Sequence, residues 1–221
     1  MRIVQCWDDG VVDDIRLCEI LRRHGAKATF NLNWGLHSQQ RAGNWKYKGK
    51  EVFKIAIPEL IEVYKGFLIG NHSLTHPHLT KLSADAARCE IRKNKDALEQ
   101  HFGQAVTGFA YPFGACNETV GNIIAEEGHV YARTVENRNP CFPPDNPMAF
   151  HPNRHFNAAD FWEEFEKVKA LDGVFYFWGH SYEITTEADW LAFEKKIERI
   201  SREATATWVN LPDLFEKQAA V

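Results

Sequence analysis

Three imidazoles fall within the stretch Asn71-His72-Ser73-Leu74-Thr75-His76-Pro77-His78, directly after the apolar run Phe67-Leu68-Ile69-Gly70. Imidazole is the commonest protein ligand for a borderline transition metal. Residues four apart share one side of a helical turn, so His72 and His76 are spaced to clasp one ion. Such a pair alone equally punctuates a surface loop, and a metal site needs a carboxylate ligand from another strand end. Asp8 and Asp9 answer that need, between the apolar Ile3-Val4-Gln5-Cys6-Trp7 and Gly10. Two histidines and one carboxylate leave coordination positions open for water and substrate. Neighbouring side chains diverge on a strand, so one aspartate would hold the ion and the other would stay free for proton transfer. His180 stands at a further strand end, after Phe175-Tyr176-Phe177-Trp178-Gly179.

The elements that must position these groups alternate. Ile3 to Trp7 predicts a buried strand, Asp14 to His24 a helix with Gly25 just past its end, and Lys27 to Leu32 a second strand. Trp34 to Val52 is polar and rich in Gly, Asn and Lys, which predicts a long loop. Pro58 to Lys65 follows as a helix with proline in its first turn. Ser83 to Phe102 is the clearest helix: Ser83 caps it, Asp85 favours its positive end, and Gly103 stops it. Further strands are predicted at Thr107 to Tyr111, His129 to Val135, Gly173 to Trp178 and Thr205 to Asn210. Helices are predicted at Asn117 to Glu127, Ala158 to Leu171 and Glu187 to Ala204, with an irregular loop at Glu136 to Pro147 and a short terminal helix. Alternation of this kind implies a parallel sheet, open or closed into a barrel, with ligands at the C-terminal ends of the strands.

Composition narrows the function classes. The 221 residues are 44% hydrophobic and 25% charged, enough for a substantial core, and residues 1–221 read as one catalytic domain. Lys and Arg number 26 against 30 Asp and Glu, a net charge of -4 with no basic stripe, which excludes nucleic acid and anionic membranes as expected partners. No apolar run approaches membrane-spanning length and no leader pattern stands at Met1, so a cytoplasmic location is expected. The five cysteines form no C-x-x-C pair and suggest neither a disulfide framework nor a zinc knuckle. Oligomeric state has no signal in the sequence.

The Trp7-Asp8-Asp9-Gly10 and His72-Ser73-Leu74-Thr75-His76 stretches resemble, in order, the T-F-D-D-G and H-[ST]-x-x-H motifs of the polysaccharide deacetylases, carbohydrate esterase family 4. Tyr111-Pro112-Phe113-Gly114 is similar to that family's third motif and Trp178-Gly179-His180 to its last, so the resemblance runs from Ile3 to about Asn210. It implies a distorted (β/α) barrel of about seven parallel strands and metal-dependent removal of acetyl groups from an N- or O-acetylated carbohydrate. Carried over by residue, Asp9, His72 and His76 would bind the ion, most often zinc. Asp8 would be the general base and His180 the general acid. The N–H of Phe113 would help form an oxyanion hole, with Tyr111 and Trp178 on the substrate side. The family's third motif carries an arginine that holds the base, and here Ala110 stands in its place. Arg133 and Arg154 are the candidates to orient Asp8 instead, and Glu183 is the candidate to tune His180. His78 is left outside the ligand set, and His151 and His155 are placed along the groove. The family's fourth motif, an aspartate and tryptophan pair, has no clear match here, and with Ala110 this makes the alternative a catalytically impaired carbohydrate-binding homologue. The same ligand set suits Fe(II) in non-haem oxygenases, but those sites sit in all-β barrels and the strand–helix alternation argues otherwise.

Overall fold

The computed structural model describes residues 1–215. Ten strands and six α-helices follow one another as β1 (Arg2–Asp8), α1 (Asp14–Arg23), β2 (Thr29–Leu32), β3 (Ala42–Tyr47), β4 (Lys50–Lys54), α2 (Ile57–Val63), β5 (Leu68–Asn71), α3 (Ala84–Phe102), β6 (Gly108–Ala110), α4 (Glu118–Glu126), β7 (Tyr131–Arg133), β8 (Arg154–His155), α5 (Phe161–Ala170), β9 (Val174–Gly179), α6 (Glu187–Arg202) and β10 (Thr207–Trp208). The main sheet is wholly parallel, in the order β7-β6-β5-β2-β1-β9-β8, with β10 also paired to β1. The chain between β7 and β8 closes it. Phe150 exchanges backbone hydrogen bonds with Ala132 and Thr134 at 2.8 and 3.0 Å, and Asn153 N–H donates to Tyr176 O at 2.8 Å. The expected distorted barrel of parallel strands is therefore present.

The two-residue period of the strands sorts side chains into two cores. Ile3 and Trp7 of β1 join Phe30 of β2 and Phe175 and Phe177 of β9 beneath α1, α5 and α6. Val4 and Cys6 point the other way, into the barrel, with Tyr131, Phe150 and Tyr176. Asp8 is next in that inward series. Two glycines open space for it: a Cβ on Gly70 would lie 2.0 Å from Asn31 Oδ1, and one on Gly108 would lie 2.1 Å from the Tyr131 hydroxyl.

Most expected elements are found within a few residues of their predicted ends. Helix α3 is capped by Ser83 Oγ, which accepts from Ala86 N–H at 3.3 Å, and ends at Gly103 in the left-handed conformation, φ 64°. The segment Trp34 to Val52 corrects the expectation of a loop: it holds the antiparallel hairpin β3–β4. Its turn residues Lys48 and Gly49 have φ of 48° and 84°, the backbone of a tight hairpin turn, in which lysine is an uncommon occupant. Strand β4 packs beside the Asp-Asp-Gly loop, since Val12 N–H donates to Phe53 O at 2.8 Å and Ile55 N–H to Gly10 O at 3.1 Å. A single helical turn, Pro212–Leu214, follows β10; the remainder of the expected terminal helix lies outside the described residues. Among the described residues no helix is long and apolar enough to cross a membrane.

Candidate active site

Strand ends β1, β5, β7 and β9 converge on one rim of the barrel. Asp9, His72 and His76 each offer one donor atom, and the three donors lie within 4.8 Å of one another. The histidines do not use a helical turn, which corrects the reading from their spacing. Residues 72–78 form an irregular loop with Ser73 at φ 63° and His76 at φ 59°, and this brings the two rings to a centroid distance of 4.8 Å. Asp9 (φ 83°) and Phe113 (φ 58°) share that left-handed backbone. Such conformations cost about 1–3 kcal/mol each in non-glycine residues and cluster where function holds them.

The donor chemistry suits a divalent ion. His72 Nδ1 lies 2.7 Å from the carbonyl oxygen of Ala110. A carbonyl only accepts, so Nδ1 carries the hydrogen and Nε2 keeps its lone pair for a ligand. Burial holds His72 down at about 4 against the pull of Asp8, so the ring is neutral near pH 7, the state a metal requires. His76 is likewise lowered, burial again leading. Asn33 fixes the loop, its side-chain amide donating to the carbonyls of His72 and Ser73.

Asp8 is 2% exposed and Arg133 1%. One guanidinium nitrogen of Arg133 donates to Asp8 Oδ2, and Asn31 Nδ2 donates to Oδ1 at 2.8 Å. Burial by itself would raise the Asp8 carboxyl; Arg133, His72, His180 and Asn31 together outweigh it and hold the group below the ordinary range. Asp9 is also held low against burial, with Lys54 the leading cause. Lys54 of β4 is 2% exposed, and its ammonium donates to Asp9 O and lies 3.6 Å from Asp9 Oδ1. His180 Nε2 sits 3.9 Å from Asp8 Oδ2 and 3.8 Å from Asp9 Oδ2, while Nδ1 faces Glu183 Oε1 at 3.6 Å. Burial opposes the charge on His180, but Glu183, Asp8 and Asp9 raise it above the ordinary histidine value. Glu183 also pairs with His155 Nε2 at 2.8 Å and is held at about 2 against burial.

The sequence of residues 1–132 matches the family model described as Polysaccharide deacetylase. The chain belongs to the polysaccharide deacetylase family. Over 127 residues it is 31% identical to a peptidoglycan-N-acetylglucosamine deacetylase of Listeria monocytogenes, a match covering 56% of this chain and 24% of that protein. A Streptococcus pyogenes deacetylase solved with acetate superposes with a TM-score of 0.53 at 26% identity, over 60% of this chain and 55% of that one. The carbohydrate esterase family 4 domain of a multidomain xylanase from a Trinervitermes trinervoides hindgut metagenome shares the fold, with a TM-score of 0.62 at 20% identity over 97% of this chain and 89% of that one. Alignments cover between 17% and 52% of the length of curated relatives.

Set against the family pattern, the departure at Ala110 has a structural counterpart. Ala110 of β6 and Arg133 of β7 are register partners. Arg133 thus enters the barrel at the level of Ala110, from the next strand. Arg154 does not orient Asp8: it pairs with Asp160 at 2.9 Å and with Glu164, on the flank of α5. Tyr111 is also corrected as a substrate-side group. Its ring is buried with Phe109, Val120 and Ile123, and its hydroxyl donates to Met148 O at 2.7 Å. Phe113 is 55% exposed, stacks on His78 at 4.0 Å and meets His76 edge-on at 4.5 Å, so its ring covers the loop that carries both histidines. Trp178 lies under the site, with the Arg133 guanidinium 4.6 Å over its ring. His151 reaches Thr134 Oγ1 at 2.6 Å. Asn31, Asn33, Lys54 and Tyr182, whose ring lies tilted against His180 at 4.9 Å, were not anticipated. Asn31 had a signal, a polar residue at an inward position of the apolar strand Thr-Phe-Asn-Leu; Lys54 had none.

Proposed function

We propose that this chain is a metal-dependent hydrolase that removes acetyl groups from an N- or O-acetylated carbohydrate, with zinc as the ion held by Asp9, His72 and His76. When bound there, such an ion polarises the acetyl carbonyl and lowers the pKa of a water towards about 7. Asp8 takes the proton of the attacking water. Both its oxygens already accept one hydrogen bond, and each keeps a further lone pair. Arg133 and Asn31 keep it ionised and aimed. His180 carries its proton on Nε2, towards the leaving amine or hydroxyl, while Glu183 faces Nδ1 and favours the charged ring. Attack breaks the acyl C–N or C–O bond, releasing acetate and the free sugar amine or hydroxyl.

The observation that carries this reading is the pairing of Asp8 with Arg133 beside the Asp9, His72 and His76 donors. The alternative, an impaired binding homologue, was suggested by Ala110 and by the lack of a clear fourth motif; the Arg133 guanidinium on Asp8 supports the catalytic reading over it. The test is acetate release from N-acetylated chitooligosaccharide, acetylated xylan and peptidoglycan fragments by zinc-loaded protein. Activity should vanish with chelator. Asp9→Ala should lose metal and activity together, whereas Asp8→Asn and His180→Ala should keep metal and lose turnover by about 10² or more. Full metal content in Asp9→Ala, or turnover that survives chelation, overturns the assignment.

A further inference from the structure

The carboxyl of Asp14, the first residue of α1, is fully buried and takes no part in the chemistry described above. Ser181 Oγ donates to its Oδ1 at 2.5 Å, while the Tyr64 hydroxyl and Val11 N–H donate to its Oδ2 at 2.6 and 3.2 Å. All three donors are neutral, and burial leads in pushing the carboxyl up to about 7. An apolar side chain would fill the same space without that penalty. What the carboxyl adds is direction, because it fixes donors from three separate segments relative to one another.

Two of those segments carry the reacting groups. Val11 stands two residues after Asp9, and Ser181 directly follows His180. Tyr64 belongs instead to the core, against Phe30 at 4.7 Å.

His180 depends on an anchor of this kind. Its Nδ1 lies 3.6 Å from Glu183, and its Nε2 lies 3.8 and 3.9 Å from Asp9 and Asp8, all beyond hydrogen-bond distance. The ring is placed by packing against Tyr182 and Trp178, at 4.9 and 5.5 Å, and by its backbone. On the strand side the backbone is held by the last rung of the sheet, where Gly179 is the register partner of Trp7. Bonds between His180 and Glu183 lie within the turn and travel with it. Two side-chain ties reach the turn from outside: His155 to Glu183 at 2.8 Å, from β8, and Asp14 to Ser181. Of these two, the Asp14 tie runs back to residues 9–11, the segment of the metal ligand.

We propose that Asp14 is a positioning residue: by tying Ser181 to Val11, its carboxyl holds the acid His180 at reacting distance from Asp8 and Asp9. This rests on the deacetylase reading above and deepens it.

The test compares two hydrogen bonds to one carboxyl. Ser181→Ala and Tyr64→Phe each remove a hydroxyl bonded to Asp14, at nearly equal length, and a purely structural role predicts the same outcome for both. Zinc-loaded proteins are assayed on an N-acetylated chitooligosaccharide, whose leaving amine needs a proton, and on para-nitrophenyl acetate, whose leaving phenolate needs none. A displaced acid should lower kcat on the amide by about tenfold to a hundredfold in Ser181→Ala, with KM unchanged and a much smaller loss on the ester. The amide-to-ester ratio of Tyr64→Phe should stay within about twofold of wild type. Asp14→Leu should lower the ratio as far as Ser181→Ala does; should it fail to fold, the other two variants decide. Nitrogen–proton correlation spectra of the imidazoles need no turnover, and should show His180 in more than one position in Ser181→Ala and in a single position in Tyr64→Phe. A wild-type ratio in Ser181→Ala, or equal falls in Ser181→Ala and Tyr64→Phe, overturns the proposal, as does an unmoved His180 signal in Ser181→Ala. Absence of acetate release by the wild-type protein refutes the deacetylase reading instead, and the spectra then judge the anchor alone.

Discussion

Replacing Arg133 by methionine would strand the Asp8 carboxylate in the barrel interior, 2% exposed, with Asn31 as its remaining side-chain hydrogen-bond donor among the described residues. Removing one member of a buried ion pair costs about 3–5 kcal/mol, because the remaining charge has lost its water and gains nothing in exchange. For a chain of this size each kcal/mol moves the melting temperature by about 2–4 °C, so Arg133→Met should lower it by roughly 6–20 °C. In an Asp8→Asn background no charge is left to strand, and most of that cost should disappear. Urea unfolding of the four proteins of the cycle, compared at constant m-value, should therefore give a coupling of about 2–3 kcal/mol between the two sites. The register adds a sharper arm. Because Ala110 and Arg133 are partners on adjacent strands, Ala110→Arg combined with Arg133→Ala should return a guanidinium to the same level of the barrel. It should recover a substantial part of both stability and acetate release relative to Arg133→Ala alone. Additivity within about 0.5 kcal/mol in the cycle would show that Arg133 does not act through Asp8. A swap no better than Arg133→Ala would refute the equivalence of the two strand positions.

Gly70→Ala would place a Cβ 2.0 Å from Asn31 Oδ1 and push away the amide that donates to Asp8; a loss of about 1–3 kcal/mol with reduced turnover is expected in urea and acetate assays, and wild-type behaviour would refute the role given to Asn31. Asp14 is buried beside Ser181 Oγ at 2.5 Å and the Tyr64 hydroxyl at 2.6 Å, and burial leads in raising its carboxyl to about 7. The native chain then keeps a proton that the unfolded chain, with an aspartate near 3.9, has already released. Stability should fall as pH rises from about 4 to 7, by up to about 1.4 kcal/mol per unit. Asp14→Asn should flatten that slope in urea midpoints taken across the same range, and identical slopes for the two proteins would refute it.

Legibility in the sequence followed the physics of each segment. Helix α3 was readable because cap, stripe and stop residue agree over one long window. Strands β1 and β9 were readable because a short buried run has few alternatives. The hairpin β3–β4 was not, since its exposed face is written in polar residues and its turn lacks the usual asparagine. Lys54 was invisible for the same reason: only the pairing of β4 with the Gly10 to Val12 segment carries it beside Asp9. Tyr111 misled because its neighbours in the motif belong to the site while its own side chain, alternating outward on leaving β6, belongs to the layer under α3 and α4.

The arginine shows what a motif can and cannot specify. A linear pattern records which residue of a given strand faces the base, but the base responds only to a cation at the right height in the barrel. Inward positions at one level on adjacent parallel strands lie about 4.8 Å apart, a gap that the long side chain of arginine spans. Ala110 puts only a methyl group into the chamber, and Arg133 can therefore lie across it, over Trp178, to reach Asp8. Reading the strand that follows the third motif for an inward arginine, wherever that motif lacks one, would find this arrangement in other sequences. A survey of relatives with alanine at this place should show arginine at the register partner; a hydrophobic residue there, in a chain that still releases acetate, would mean that the base can be held without a guanidinium.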